Sequence, residues 1–161
     1  MPAELTPQLV GKVVGRALED AAFVFTEAAG DAGPFQGPVV EARMRFCGPD
    51  GSAPGEMRLA ANPEVAAMLA ANLLGEEPGS AEAGGRGPDA ISELLNICCG
   101  VLARDLFGPE AVCSLGVPQV SQRPAEEYAP EFESVGCRVS LVTEEGGRLD
   151  ACVAAGVPER V

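Results

Sequence analysis

Histidine and tryptophan are both absent from this chain of 161 residues, and lysine occurs once, as Lys12. The missing histidine removes the Ser–His and Cys–His nucleophile systems together with the commonest metal ligand. The six cysteines (Cys47, Cys98, Cys99, Cys113, Cys137 and Cys152) include no C-x-x-C pair, so no zinc or other metal site is expected. No apolar stretch is long and uninterrupted enough to span a membrane. The opening MPAELTPQLV lacks the basic-then-apolar order of a signal peptide. These features point to a cytoplasmic protein with free, mostly buried thiols. Aromatic residues make up only 4% of the chain, so Ala, Val and Leu must do most of the packing.

What is abundant is negative charge. The formal net charge is −13, which sets the chain against nucleic acid and anionic membranes, since phosphates would repel it. A basic patch on a protein partner would suit it better. The length fits one domain over residues 1–161, able to bury roughly 70% of its unfolded surface.

Thr6-Pro7 reads as an N-cap with proline at the first helical position. Val10, Val13, Val14, Ala17, Leu18 and Ala21 then recur at helical spacing, predicting a helix from residue 7 to about residue 29. Val40, Ala42, Met44 and Phe46 alternate with Glu41, Arg43 and Arg45, the pattern of a half-buried strand with the charged residues outward. A second strand has Met57 and Leu59 inward and Glu56 and Arg58 outward, and the two suggest an antiparallel pair. Asn62-Pro63 caps a second helix that Gly75 ends. Residues 76–87 read as a mobile loop. A third helix is expected over residues 88–107, then a strand near 111–117. Residues 119–133, acidic and containing two prolines, read as an excursion from the core. Residues 135–153 read as a hairpin turning at Glu144-Glu145-Gly146-Gly147.

The third helix is the informative one. At about 100° per residue, Ile91, Leu94, Leu95, Cys98 and Leu102 define its buried face, and Asp89, Glu93, Asn96 and Gly100 cluster on the opposite side. Asn and Gly are poor formers of an exposed helix surface, Gly costing about 1 kcal/mol against Ala. Two readings of Gly100 follow: tight packing on another helix of this chain, or close approach by another backbone. Cys98 and Cys99 lie on the core face and its flank. With no basic neighbour to lower their pKa, they read as packing residues.

Asp89, Glu93, Asn96 and Pro118 match in type and spacing the signature of the CheX/CheC/FliY family of CheY-phosphate phosphatases, and Gly100 matches a glycine often found one turn after the asparagine. The chain resembles that family more loosely throughout, in the first helix with ALEDAAFVF, the second ending ANLLG, and the final hairpin. It carries one E-x-x-N. The comparable Glu64-Val65-Ala66-Ala67 lacks the asparagine, so the resemblance is closest to CheX. It implies an α+β fold: an antiparallel β-sheet with three main helices packed on it, in the order α-β-β-α-α-β-β-β. It implies dephosphorylation of a CheY-like response regulator, with Asn96 positioning the attacking water and Glu93 docking on the partner's lysine. Asp89 and Gly100 would face the partner, and Pro118 would shape a strand end. No cofactor of its own is implied, because the receiver supplies Mg²⁺. A homodimer through the sheets is implied too. The alternative is a non-catalytic CheX-like module that binds a receiver or a flagellar-switch protein. A stand-alone hydrolase of small phosphoesters is disfavoured, since the chain has no P-loop, histidine or dinuclear-metal cluster.

Overall fold

The structure, a computed structural model, describes residues 3–156. Its elements run α1 (Pro7–Ala22), β1 (Thr26–Ala29), β2 (Val39–Cys47), β3 (Gly55–Ala61), α2 (Pro63–Leu74), α3 (Ala81–Gly85), α4 (Gly87–Phe107), β4 (Ser114–Leu115), β5 (Gln119–Arg123), α5 (Ala125–Ser134), β6 (Cys137–Thr143) and β7 (Arg148–Ala155). All strand pairings are antiparallel, in the order β1-β6-β7-β3-β2, with β4 and β5 both on the outer side of β2. Helices α1, α2 and α4 pack on one face of this sheet. The expected fold class and the three main helices are therefore found.

The caps explain the helix limits. The Thr6 hydroxyl accepts from the Leu9 N–H at 3.1 Å, and the Asn62 side chain accepts from the Val65 N–H at 3.0 Å, each satisfying a donor that has no partner inside its helix. Gly75 takes φ 74° and closes α2, a left-handed conformation that costs glycine little. The helix α1 stops at Ala22, earlier than the expected residue 29. Phe23 adopts φ 56°, its N–H donates to the Glu19 carbonyl, and the Val24 N–H reaches back to Leu18. The Asn72 side chain donates to the freed Ala22 carbonyl at 2.9 Å. Residues 26–29 then pair with β6. Nothing local announces this end, because a phenylalanine stands where a glycine is usual.

Three further expectations are corrected. Residues 76–87 contain a short helix, α3, capped by Ser80. The strand foreseen near 111–117 shrinks to Ser114–Leu115. The segment 119–133 is no excursion: β5 pairs with β2 and α5 lies on the second face of the sheet.

That second face carries a polar network. Asp150, 1% exposed, accepts from Arg148 through both oxygens at 2.9 Å, from the Tyr128 hydroxyl at 2.8 Å and from the Ser140 hydroxyl at 2.7 Å. Arg148 also donates to the Gly33 carbonyl at 2.6 Å and stacks over Phe35 at 4.1 Å. Phe35, Val39, Ala60 and Tyr128 form a small apolar cluster under α5. Glu41, expected outward in water, does turn from the main core but is 1% exposed. It accepts from Arg43 at 2.7 Å and from Arg123 at 3.4 Å. A strand that faces helices on one side and a fastened helix on the other is buried on both, so alternation alone misjudges its polar residues.

Candidate functional site

The buried stripe of α4 sets the orientation of everything else on that helix. Ile91, Leu94, Leu95, Cys98, Cys99 and Leu102 are all 0% exposed. Each of the large aliphatic side chains contributes roughly 2 kcal/mol by leaving water. Rolling the helix by a quarter turn would forfeit most of that sum. At the N-terminal end, Gly87 sits so close to α2 that a Cβ there would stand 3.0 Å from the Ala66 Cβ. The start of the helix is thereby pinned against α2. Asp89 lies in the first turn, where a negative charge favours the helix dipole, and is 3.5 Å from Arg86.

With the apolar stripe held inward, Asp89, Glu93 and Asn96 are exposed. Glu93 and Asn96 are three residues apart, neighbours on the helix surface. Neither side chain has a hydrogen bond or ion pair among the described residues. Gly100 has nothing within 4 Å of where its Cβ would be. The packing reading of Gly100 is therefore excluded among the described residues: none of their helices presses on it. The face of α4 that carries a carboxylate, a carboxamide and a bare stretch of backbone is unused by the fold.

Pro118 lies at the edge of the sheet, between β4 and β5. On β2, Phe46 opposes Leu115 and Arg43 opposes Gln119. Gly116, Val117 and Pro118 thus stand against Met44 and Arg45, a one-residue bulge between β4 and β5. Proline fits there because an edge bulge needs no ladder donor at that position.

The vicinal thiols take no part. Burial pushes Cys98 far up and Cys99 up to about 12, so neither forms a thiolate near neutral pH. Among the described residues, no group of three or more acidic or cysteine side chains is arranged to hold a metal ion. No described helix is long and apolar enough to cross a membrane.

Residues 45–137, more than half of the chain, match the family described as chemotaxis phosphatase CheX. The chain belongs to the CheX family. The matched stretch encloses Asp89, Glu93, Asn96, Gly100 and Pro118. No curated protein matches the chain by sequence. In fold it is similar to the chemotaxis protein CheX of Vibrio vulnificus, with 16% identity, 94% of this chain and 97% of that one covered, and a TM-score of 0.62. It is similar also to the CheX–CheY–BeF3–Mg²⁺ complex of Borrelia burgdorferi, with 16% identity, coverage of 92% and 96%, and a TM-score of 0.66. A third likeness is to FliY of Thermotoga maritima, with 14% identity, coverage of 96% and 93%, and a TM-score of 0.57. These likenesses are of fold. The additional elements of this CheX-family chain, β1, β5 and α5, were not legible in the sequence. The Tyr128–Asp150 and Arg123–Glu41 pairs that fasten α5 and β5 join positions distant along the chain.

Proposed function

We propose that this chain dephosphorylates the aspartyl phosphate of a CheY-like response regulator in the cytoplasm, as a single domain, with Asn96 positioning the attacking water and Glu93 docking on the receiver. The observation that carries the reading is the unused α4 face, inside the family match, with Glu93 and Asn96 exposed and unpartnered beside an open Gly100.

An aspartyl phosphate is an acyl phosphate and already activated. Its hydrolysis needs positioning and charge stabilisation more than covalent catalysis. The receiver's own Mg²⁺ and lysine neutralise the phosphoryl oxygens. What the receiver lacks is a water held in line with the bond to be broken. A carboxamide both donates and accepts hydrogen bonds, so Asn96 can orient that water, as a glutamine does in GTPases. Glu93, one turn earlier, pairs with the receiver's lysine and seats the helix. It is a positioning residue, and Asp89 supports the same face. Gly100 lets the partner's backbone come close.

The test is phosphate release from a panel of phosphorylated receivers. Acceleration by the parent chain with at least one of them is expected, and none with any would overturn the reading. Glu93→Ala should raise Kd for that receiver by about tenfold or more, the effect of truncating one partner of an interfacial charge pair. An unchanged Kd would remove Glu93 from the contact.

A homodimer through the sheets belongs to the same proposal. Support comes from the β4–β5 edge of the sheet, where Leu115, Val117 and Val120 are 41%, 83% and 37% exposed. An apolar edge with unpaired backbone groups invites a second strand. Sedimentation should show a dimer at micromolar concentration that Val117→Asp dissociates. A monomeric parent would sink this part alone.

A further inference from the structure

An acidic enzyme acting on an acidic surface poses an electrostatic problem. The phosphoryl group is an anion, and a pocket that holds Mg²⁺ beside it is built with carboxylates. A chain of net charge −13, presenting Asp89 and Glu93, would repel such a surface at a distance. Free positive charge near the motif would offset this.

Most of the described cations are not free. On the second face of the sheet, Arg43, Arg45, Arg58, Arg123 and Arg148 each lie within 4.0 Å of a carboxylate, and Arg138 donates to the Val135 carbonyl at 2.8 Å. Arg86 pairs with Glu76 at 3.0 Å. Among the described residues this leaves Lys12, Arg16 and Arg104 with no ion pair or hydrogen bond, and all three are exposed. They share one place. Lys12 and Arg16 line a groove of about 460 Å³ between α1 and α4, together with Val13, Ile97 and Val101. Lys12 and Arg104 line an adjoining hollow of about 570 Å³ together with Asp105 and Glu110. Asp20 and Asp105 also line the groove, so its local balance is close to neutral on a chain that is otherwise strongly negative.

The groove is continuous with the motif face. At about 100° per residue, Ile97 and Arg104 lie within roughly 40° of Glu93 and Val101 within roughly 80°. Val101 is 42% exposed, an apolar side chain left in water beside Gly100.

We propose that the α1–α4 groove is a second docking surface for the receiver served by Glu93 and Asn96. Ile97 and Val101 form its apolar floor, and Lys12, Arg16 and Arg104 engage carboxylates flanking the receiver's phosphoryl pocket. The inference rests on the phosphatase reading and adds the surface that selects and steers its partner. Charges at the rim of an interface act chiefly on the encounter rate and on salt dependence.

The experiment uses the full chain and a receiver that the parent dephosphorylates, loaded with Mg²⁺ and beryllofluoride for binding and phosphorylated for kinetics. The double variant Lys12→Glu/Arg16→Glu should raise Kd and KM about tenfold at low salt, with kcat changed less than twofold and the salt dependence of Kd flattened or reversed. Val101→Ser should raise Kd about threefold at every salt concentration. Arg138→Glu, on the opposite face, should change Kd less than twofold. Circular dichroism checks the fold, and Lys12→Gln/Arg16→Gln replaces the double variant if it unfolds, with a smaller shift in the same direction. A double variant that binds like the parent overturns the groove while leaving the phosphatase reading standing. An equal loss per charge in Arg138→Glu also overturns it, because the effect is then of net charge alone. Burial of the groove by self-association in the absence of receiver overturns it as well. A parent that acts on no receiver refutes the underlying reading instead.

Discussion

On the proposed reading, Asn96→Ala should abolish the acceleration of receiver dephosphorylation, lowering kcat by about a hundredfold or more, and should leave the fold and the affinity for the receiver in place. The magnitude follows from what the side chain is asked to do. Misplacing a reacting group by about 1 Å costs on the order of 10²-fold, and losing a preorganised polar group at the reacting centre costs about 10²–10³-fold. The selectivity follows from exposure. Asn96 is exposed and has no partner among the described residues, so its truncation removes nothing from the core. Alanine is the better helix former, which makes the variant slightly more stable if it differs at all. The contrast with Glu93→Ala is the informative part: the first variant should lose turnover and keep binding, and the second should lose binding first. Single-turnover phosphate release and binding of a beryllofluoride-loaded receiver separate the two. Parent-like turnover by Asn96→Ala would strip the carboxamide of its role and leave the chain as a binding module.

Asp150→Ala should destabilise the chain by about 3–5 kcal/mol, the usual consequence of removing one partner from a buried ion pair. Its carboxylate is 0% exposed in the side chain and holds Arg148, Tyr128 and Ser140. Once it is gone, the guanidinium of Arg148 stays over the Phe35 ring with no counter-charge, and the Tyr128 hydroxyl loses its acceptor. Against a typical total of about 5–15 kcal/mol, the loss is large enough to lower the urea midpoint markedly. Tyr128→Phe, which removes only one hydrogen bond, should cost about 1 kcal/mol. Because α5 is held through Tyr128, hydrogen exchange in α5 should accelerate in both variants before the rest of the sheet responds. A midpoint for Asp150→Ala within about 1 kcal/mol of the parent would mean that water replaces the carboxylate and that the network does not fasten this face.

The parts read correctly from the sequence share a property: their evidence lies within a few turns of chain. Thr6-Pro7 and Asn62-Pro63 are caps whose hydrogen bonds span three residues. The stripe from Ile91 to Leu102 repeats on one helix and needs no knowledge of what covers it. The misreadings also share a property. Phe23 ends α1 in a left-handed conformation held by the tertiary bond from Asn72 to Ala22. Tyr128 becomes a buried anchor only because Asp150, 22 positions on, lies beneath it. Glu41 is buried because β5 and Arg123, 82 positions away, close over it.

Local periodicity by itself determined that one helix turns its aliphatic side chains inward and its Asp89, Glu93 and Asn96 outward, because burying apolar surface outweighs every other term in orienting a helix. Whether that outer face was free could be decided only in three dimensions. The open space over Gly100 and the lack of partners for Glu93 and Asn96 among the described residues are properties of how α1, α2 and α4 settle on the sheet. The same holds for the second face of the sheet, where burial of charge depends on counter-charges delivered from distant segments, and no short stretch of sequence records which of them will meet.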